Sequence, residues 1–356
     1  MTMFRVLELF SGMGGMHCAL DFLEVNYEIV AAIDVNPTAN LVYALNFPQV
    51  PICSRAIETI PLKQWEKWAA DVWLMSPPCQ PFTRQGKQED LNDRRTNAFV
   101  YLMKTIIPQI SCKPKYLLLE NVAGFEHSQA HQLLLSTLEE NNYSSRQYLL
   151  SPLQFGIPNS RLRYYLIADR CERMTHPIEI RLSNFQFCFQ KLRQRFPLKR
   201  TTNDETSRSS TVVAHRLCND QITDKCSHAS EILIDPTDSL IINDFLVSDE
   251  NPAFELDEKQ SQRSLHITDI ISGQSRRSLC FTKAYGKYFE GTGSLLSTSS
   301  GRVRYFTPTE IANLHCFPST YQFPDQLSIR QQYAVLGNGL NIFVVAALLE
   351  NLFKRS

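Results

Sequence analysis

Several features are missing from these 356 residues. There is no net charge: 36 Lys and Arg balance 36 Asp and Glu, so the chain is not one of the strongly basic proteins that coat nucleic acid through phosphates alone. A local basic patch is still compatible with that balance. No apolar run reaches the length of a membrane span; the longest near the C-terminus is Ile342–Leu349, and no membrane partner is expected. The ten cysteines are scattered, with no C-x-x-C pair, which predicts free thiols in a reducing compartment. The opening MTMFRVLELF has neither a basic n-region nor a cleavage site, which argues against export. Cytoplasm is the expected location, with the nucleus second. No internal repeat is visible. What is present is apolar: 43% hydrophobic residues against 20% charged gives ample core and excludes global disorder.

Over the first 170 residues, short apolar runs alternate with longer amphipathic stretches. Phe4–Leu9, Glu28–Ile33, Val72–Ser76, Tyr116–Leu119 and Tyr164–Ala168 read as buried strands, and Asn97–Ile107 and Gln129–Glu140 as helices. This alternation predicts an α/β fold, a parallel sheet covered by helices on both faces. The pattern stops near Arg181. Lys191 to Arg200 holds five basic side chains and no acid, Thr201 to Thr211 is polar, and Asp235 to Glu258 carries eight acids and no Lys or Arg. The expected organisation is therefore a first domain over 1–180, a smaller inserted domain over 181–285, and a return to the first domain over 286–356. In the last part, Thr307–Leu314 reads as a helix capped by Thr307, and Asn341–Phe353 as a closing helix.

Four candidate groups fall at predicted strand ends. The first strand runs into Phe10-Ser11-Gly12-Met13-Gly14-Gly15, a glycine turn that lets a ligand approach the backbone. His17 stands where the dinucleotide fingerprint needs a glycine, which disfavours an NAD dehydrogenase. Asp34, 19 residues after Gly15, is placed to accept hydrogen bonds from ribose hydroxyls. Ser76-Pro77-Pro78-Cys79-Gln80-Pro81 follows the Val72–Ser76 strand, and its prolines make a stiff mount for a thiol nucleophile at Cys79. Glu120-Asn121-Val122 follows Tyr116–Leu119, where burial would let Glu120 hold a proton near neutrality. In a parallel sheet such strand ends line one crevice. Arg161 and Arg163, alternating around Leu162, share a face in extended chain and suit phosphate, a base carbonyl or a carboxylate.

The blocks FSGMGG, SPPCQPF, ENV, QFGIPNSRLR and LGNGLN, in this order, resemble the signature of cytosine carbon-5 methyltransferases over nearly the whole chain. Cys280-Phe281-Thr282, followed by KAYGKYFEGTGS, resembles one branch, the DNA methyltransferase homologue 2 type, which methylates tRNA. The resemblance implies a Rossmann-like class I S-adenosylmethionine-dependent methyltransferase domain with a smaller target-recognition domain inserted before the C-terminal helix. It implies Cys79 as a nucleophile on carbon 6 of cytosine, Glu120 as a donor to ring nitrogen 3, and Arg161 and Arg163 holding the base. The cofactor it implies is S-adenosyl-L-methionine, leaving as S-adenosyl-L-homocysteine. Phe10, Ser11, Gly12, Met13, Gly14 and Gly15 would cradle it, Asp34 would bind its ribose, and Ile57, Glu58, Ser76, Asn338 and Gly339 would surround it. Cys280, Phe281 and Thr282 would serve substrate recognition. Asn338-Gly339 departs from the family's usual Asn-Ser, which would remove one hydrogen bond on the order of 1 kcal/mol.

The implied substrate is tRNA, with cytosine 38 in the anticodon loop of tRNA-Asp as target, and a monomer is expected. A target base must leave its stack to reach such a pocket, which is easier in a tRNA loop than in a duplex. A DNA cytosine-5 methyltransferase shares every catalytic residue and is the main alternative, with duplex DNA as the weaker partner. A catalytically weak nucleic-acid-binding protein is the alternative of another class. His215, Cys218, Cys226 and His228 come in the unusual order H-x2-C…C-x-H, and no metal is expected there.

Overall fold

The computed structural model describes residues 3–23, 25–78, 96–170, 194 and 240–353. Cys79, the basic stretch 191–200 apart from Gln194, the polar run Thr201–Thr211, the set His215, Cys218, Cys226 and His228, and the acids Asp235 and Asp238 lie outside the described residues.

Among the described residues, seven strands form one sheet: β1 (Phe4–Leu9), β2 (Tyr27–Ile33), β3 (Ile52–Cys53), β4 (Val72–Met75), β5 (Tyr116–Val122), β6 (Ser144–Leu150) and β7 (Arg163–Asp169). Their order is β3-β2-β1-β4-β5-β7-β6, and β7 alone runs antiparallel to both its neighbours. The central strands are buried on both faces, so β2, β4 and most of β1 and β5 read as apolar runs rather than alternating ones. Successive side chains still point to opposite sides. Val6, Leu74, Leu118 and Tyr165 join one core, while Leu7, Trp73, Leu117 and Tyr164 join the other. This is the expected α/β sheet with helices on both faces, but it is mixed and not parallel throughout as the alternation predicts, because β6 and β7 follow one another as an antiparallel pair with no crossover helix between them.

Among the described residues, the helices are α1 (Gly15–Leu20), α2 (Pro37–Asn46), α3 (Leu62–Trp68), α4 (Asn97–Tyr101), α5 (Gln129–Glu140), α6 (Glu258–Ser264), α7 (Pro308–Leu314), α8 (Ile329–Asn338) and α9 (Ile342–Phe353). α4 runs on through a π-helical turn, Leu102–Ile106, into Ile107–Gln109. Pro108 accounts for that irregularity, because it has no N–H to donate and its ring crowds the carbonyl four residues back. α7 starts as expected: Thr307 Oγ1 accepts the Glu310 N–H at 3.1 Å, and Glu310 accepts the Thr307 N–H at 2.8 Å. Glu310 also pairs with Arg304 at 2.8 Å, with the two side chains 1% and 0% exposed. Every residue of α9 is buried, and the helix packs against α1 and β7. Ile329–Phe353 contains an 18-residue window with the apolarity of a membrane span, but 72% of that window is buried inside the protein.

A second, three-stranded sheet joins β8 (Ile270–Ser272), β9 (Leu295–Ser297) and β10 (Val303–Arg304) in the order β10-β9-β8. Its residues Ile271 and Leu296 belong to the same apolar core as α1 and α9. β8 and β9 lie on opposite sides of residue 285.

Candidate active site

The register of the sheet builds the site. Ile33 of β2 stands beside Leu9 of β1, Leu9 beside Met75 of β4, and Met75 beside Leu119 of β5. The next residue on each strand therefore falls in one row at the carboxyl edge: Asp34, Phe10, Ser76 and Glu120. All four line one cavity of about 450 Å³. It opens where β1 is followed in sequence by β2 on one side but flanked by β4 on the other. Ligands bind open α/β sheets at such a switch point. Glu120 lies inside β5, opposite Tyr165 of β7, and not beyond its end as the apolar run alone suggests.

The β1–α1 turn is built from positive-φ residues: Phe10 at 55°, Gly12 at 54° and Gly14 at 83°. Phe10 is a non-glycine in the left-handed region, a conformation that costs on the order of 1 kcal/mol and persists only where its surroundings enforce it. The Ser11 N–H donates to the Ile33 carbonyl at 3.0 Å, and the Gly12 N–H to Asp34 Oδ2 at 2.8 Å. The Asn36 N–H takes the other oxygen, Oδ1, at 2.8 Å. Burial pushes the Asp34 carboxyl above its ordinary range, and these backbone donors pull it back in part. A Cβ on Gly12 would meet nothing within 4 Å, so its bare backbone faces open space. Gly14 differs: a Cβ there would sit 2.6 Å from the Phe47 ring. Of the residues expected around a cofactor, Phe10, Ser11, Gly12, Met13, Gly15, Asp34, Ile57, Glu58, Ser76, Asn338 and Gly339 line the cavity. Gly14 is the exception; it serves helix packing behind the turn.

The other half of the cavity carries Pro77, Pro78, Glu120, Arg161 and Arg163. Glu120 is 6% exposed and has two partners. The Ser76 hydroxyl donates to its Oε2 at 2.9 Å, and Arg163 Nε stands 3.4 Å from its Oε1. Asn121 Nδ2 donates to the Pro77 carbonyl at 3.3 Å, which ties the segment leading to Cys79 to β5. Arg161 is a clamp. It donates to the Phe281 and Gly337 carbonyls at 3.2 and 3.1 Å, to the Gly339 carbonyl, and to Cys280 Sγ at 3.2 Å. A Cβ on Gly337 would lie 2.1 Å from the Lys283 nitrogen, so only glycine lets the 282–283 backbone cross there. Among Cys280, Phe281 and Thr282, Phe281 is 1% exposed and packs on Tyr285 and Phe306. Its ring belongs to the core, and it meets the site through its carbonyl. At Gly339 a side chain would point toward the Leu336 carbonyl at 3.1 Å and His315 Nδ1 at 3.8 Å.

Several lining residues escape sequence reasoning, among them Glu8, Val35, Arg55, Phe317 and Leu340. Val35 lies one residue beyond Asp34 and Arg55 two before Ile57, Phe317 looks like ordinary core, and Leu340 stands inside the LGNGLN block without having been singled out. Glu8 had a signal: it is the acid within an apolar strand. Tyr43 donates to its Oε2 at 2.8 Å, and Tyr43 in turn contacts His17 Nδ1 at 3.1 Å. Burial pushes the Glu8 carboxyl up from 4.5 to about 8. Folded protein thus keeps this proton where unfolded chain has released it. The group's contribution is fully present below the unfolded value and is lost as pH rises through the folded one. Glu8→Gln keeps an acceptor for Tyr43 and cannot ionise. Melting curves should place this variant above the parent at pH 8 by several degrees, at roughly 2–4 °C per kcal/mol, with the gap closing toward pH 5. An equal gap at both pH values would refute a proton held at Glu8.

Comparison with known proteins follows the same lines. The family described as C-5 cytosine-specific DNA methylase matches residues 4–354. The chain is 39% identical to the tRNA (cytosine(38)-C(5))-methyltransferase of Bos taurus, over 97% of this chain and 98% of that protein. It is 33% identical to the DNA (cytosine-5)-methyltransferase of Dictyostelium discoideum, over 98% and 94%. Its fold is similar to the crystal structure of the S. pombe Dnmt2 methyltransferase, with TM-score 0.76, 29% identity and 99% of each chain covered.

Proposed function

The chain belongs to the C-5 cytosine-specific DNA methylase family, and on that premise we propose that it methylates carbon 5 of a cytosine in tRNA, cytosine 38 of the tRNA-Asp anticodon loop being the target. The observation that carries this reading is the single cavity that joins a glycine turn and Asp34 to Glu120 and Arg163, beside the segment that leads into Cys79. tRNA is favoured over DNA because relatives named for cytosine 38 of tRNA reach 39% identity, against 33% for the Dictyostelium discoideum relative named for DNA.

The residues present fit S-adenosylmethionine: Gly12 offers bare backbone to an open space, and the half-buried Asp34 carboxylate stands one position beyond β2. When bound, the cofactor supplies an electrophilic methyl group. Phe10 and Met13 would hold it from the turn, Asp34 would face its ribose, and Ile57 and Glu58 would flank its base.

Carbon 5 of cytosine is a weak nucleophile. The Cys79 thiolate, adding to carbon 6, forms a C–S bond and pushes the ring electrons toward carbon 5. Glu120, oriented by Ser76 and Arg163, donates to ring nitrogen 3 as electron density gathers there. Arg163 lies beside the same carboxyl and offers positive charge to the base carbonyl. After carbon 5 has gained its methyl group, a solvent water takes its proton, the electrons of the C–H bond re-form the carbon 5–carbon 6 double bond, the C–S bond breaks and Cys79 leaves as thiolate. Arg161 keeps the Gly337 and Gly339 carbonyls fixed behind the reacting groups. In this reading region 181–285 carries target recognition, and the exposed Lys283 and Lys287 stand on the Cys280 loop, where they can meet phosphates.

The target is tested with two transcripts of tRNA-Asp, one intact and one with cytosine 38 changed to uridine. Labelled methyl is expected in the first alone. Equal label in both would remove cytosine 38 as the target.

A further inference from the structure

The loop from Cys280 to Thr292 lies along one face of α8. Lys283 crosses Gly337, where a Cβ would fall 2.1 Å from the Lys283 nitrogen, and Gly286 meets Tyr333, whose ring would stand 2.9 Å from a Cβ at 286. Two residues on, the Tyr288 hydroxyl feels the charge of Arg330. Positions 337, 333 and 330 are four and three residues apart, the spacing of one helical stripe. The loop therefore starts at the cavity, which Gly337 and the exposed Asn338 line. It reaches Arg330 roughly 10 Å further along the helix, at about 1.5 Å per residue. It is also tied to itself: the Thr282 N–H donates to the Thr292 carbonyl at 2.9 Å, and Thr292 Oγ1 to the Tyr288 carbonyl at 2.6 Å.

The aromatic residues of this loop divide. Tyr285 is buried edge-on against Phe281 and Tyr333, and its hydroxyl donates to the Ser294 carbonyl. Phe289 lies parallel to the ring of Tyr305. Tyr288 points the other way: it is 56% exposed. A singly exposed aromatic needs no explanation, but the surroundings of this one are specific. Lys287 Nζ stands 4.8 Å from its ring centroid. Lys287, as hydrogen-bond partner and as charge, holds the Tyr288 hydroxyl below its ordinary value, and Arg330 acts in the same direction from α8. Lys283, Lys287 and Arg330 are all exposed, and among the described residues no carboxylate forms an ion pair with them. Glu290 is the one acid between 280 and 292. An exposed ring set among cations on a tied loop is the pattern that binds single-stranded nucleic acid.

We propose that Tyr288 is a stacking platform for an unpaired base of the tRNA substrate, with Lys287 and Arg330 holding the phosphates that flank that base. This rests on the reading of the chain as a tRNA methyltransferase and adds a contact outside the reacting cavity. An anticodon loop presents unpaired bases, and an aromatic side chain holds such a base by its face. A duplex keeps its bases stacked on one another and offers none to the ring. One base enters the cavity while a neighbour in the same loop rests on Tyr288. The ring thus acts on binding and not on the reacting atoms.

Binding of a tRNA-Asp transcript and methyl transfer to it, both on the full chain, test this. Tyr288→Ala should raise Kd and KM for tRNA about tenfold, with kcat within about threefold of the parent. Tyr288→Phe and Tyr288→Trp keep a ring and should stay within about threefold in Kd. The tryptophan variant should also gain emission that tRNA quenches. The slope of log Kd against log salt should fall by about one unit in Lys287→Ala and stay unchanged in Tyr288→Ala. Parent-like tRNA binding by Tyr288→Ala overturns the proposal. So does a Phe variant as weak as the Ala variant, or an equal loss by Tyr288→Ala on duplex DNA. Each of these outcomes leaves methyl transfer to tRNA standing. A parent that neither binds tRNA nor methylates it sinks the functional reading itself, and the platform with it.

Discussion

Cys79→Ala should abolish methyl transfer, by about 10⁴-fold or more in single-turnover rate, while cofactor binding by calorimetry should stay within a few-fold of the parent. Loss on this scale follows because carbon 5 has no other route to nucleophilicity in this cavity. The sequence sets Cys79 directly after Pro77 and Pro78, and both prolines line the cavity wall beside Glu120. The Ser76 N–H donates to the Leu9 carbonyl at 3.2 Å, so β4 delivers the segment from a fixed strand end. None of the described cysteines competes. Cys18 and Cys316 are buried, Cys112 is exposed, Cys53 is in the short β3 strand, and none of them, nor Cys280, lines the cavity. Retained turnover in Cys79→Ala would exclude the covalent route.

The second large effect falls on Glu120. Glu120→Gln preserves volume and can still accept from Ser76, but it cannot pass a proton to ring nitrogen 3 and no longer answers Arg163. The rate of methyl transfer should fall about 10²- to 10³-fold, with cofactor affinity close to that of the parent. The split matters, because Glu120 lines one half of the cavity and Asp34 the other, with strands β1 and β4 between them. A Glu120→Gln enzyme within threefold of the parent rate would leave the carboxyl without a chemical role. A large loss of cofactor affinity would give it a binding role instead.

Much of this site is legible in the chain before any coordinates. The apolar runs Phe4–Leu9, Glu28–Ile33, Val72–Ser76 and Tyr116–Leu119 place the glycine turn, Asp34, the loop to Cys79 and Glu120 at successive predicted strand ends, and sheet register brings Phe10, Asp34, Ser76 and Glu120 into one row, with Glu120 inside β5. That step needs only local pattern and the geometry of parallel sheets. Two strands escape such reading. β3 is two residues long. β6 opens Ser-Ser-Arg-Gln, and its polar side chains are buried because partners from elsewhere satisfy them: Gln147 Oε1 meets His131 Nε2 at 2.6 Å and the Tyr164 hydroxyl at 2.9 Å.

Long-range contacts are the other blind spot. Nothing local says that Gly337 must be bare because residues 282 and 283 cross it, nor that Cys280 lies between Arg161 and Arg163. The motif blocks can be recognised separately, but their meeting is a property of the folded chain. The same holds for Phe281, which as a sequence marker suggests a recognition surface and in the fold is a core ring held against Tyr285. Its place in the block is explained by packing under the loop that carries the thiol.

The most direct test of the account is transfer of labelled methyl from S-adenosylmethionine, with total tRNA and duplex DNA offered in parallel and Cys79→Ala as control. The account predicts label in tRNA that vanishes in the variant. Label confined to duplex DNA, or label in tRNA that survives in the variant, would contradict it.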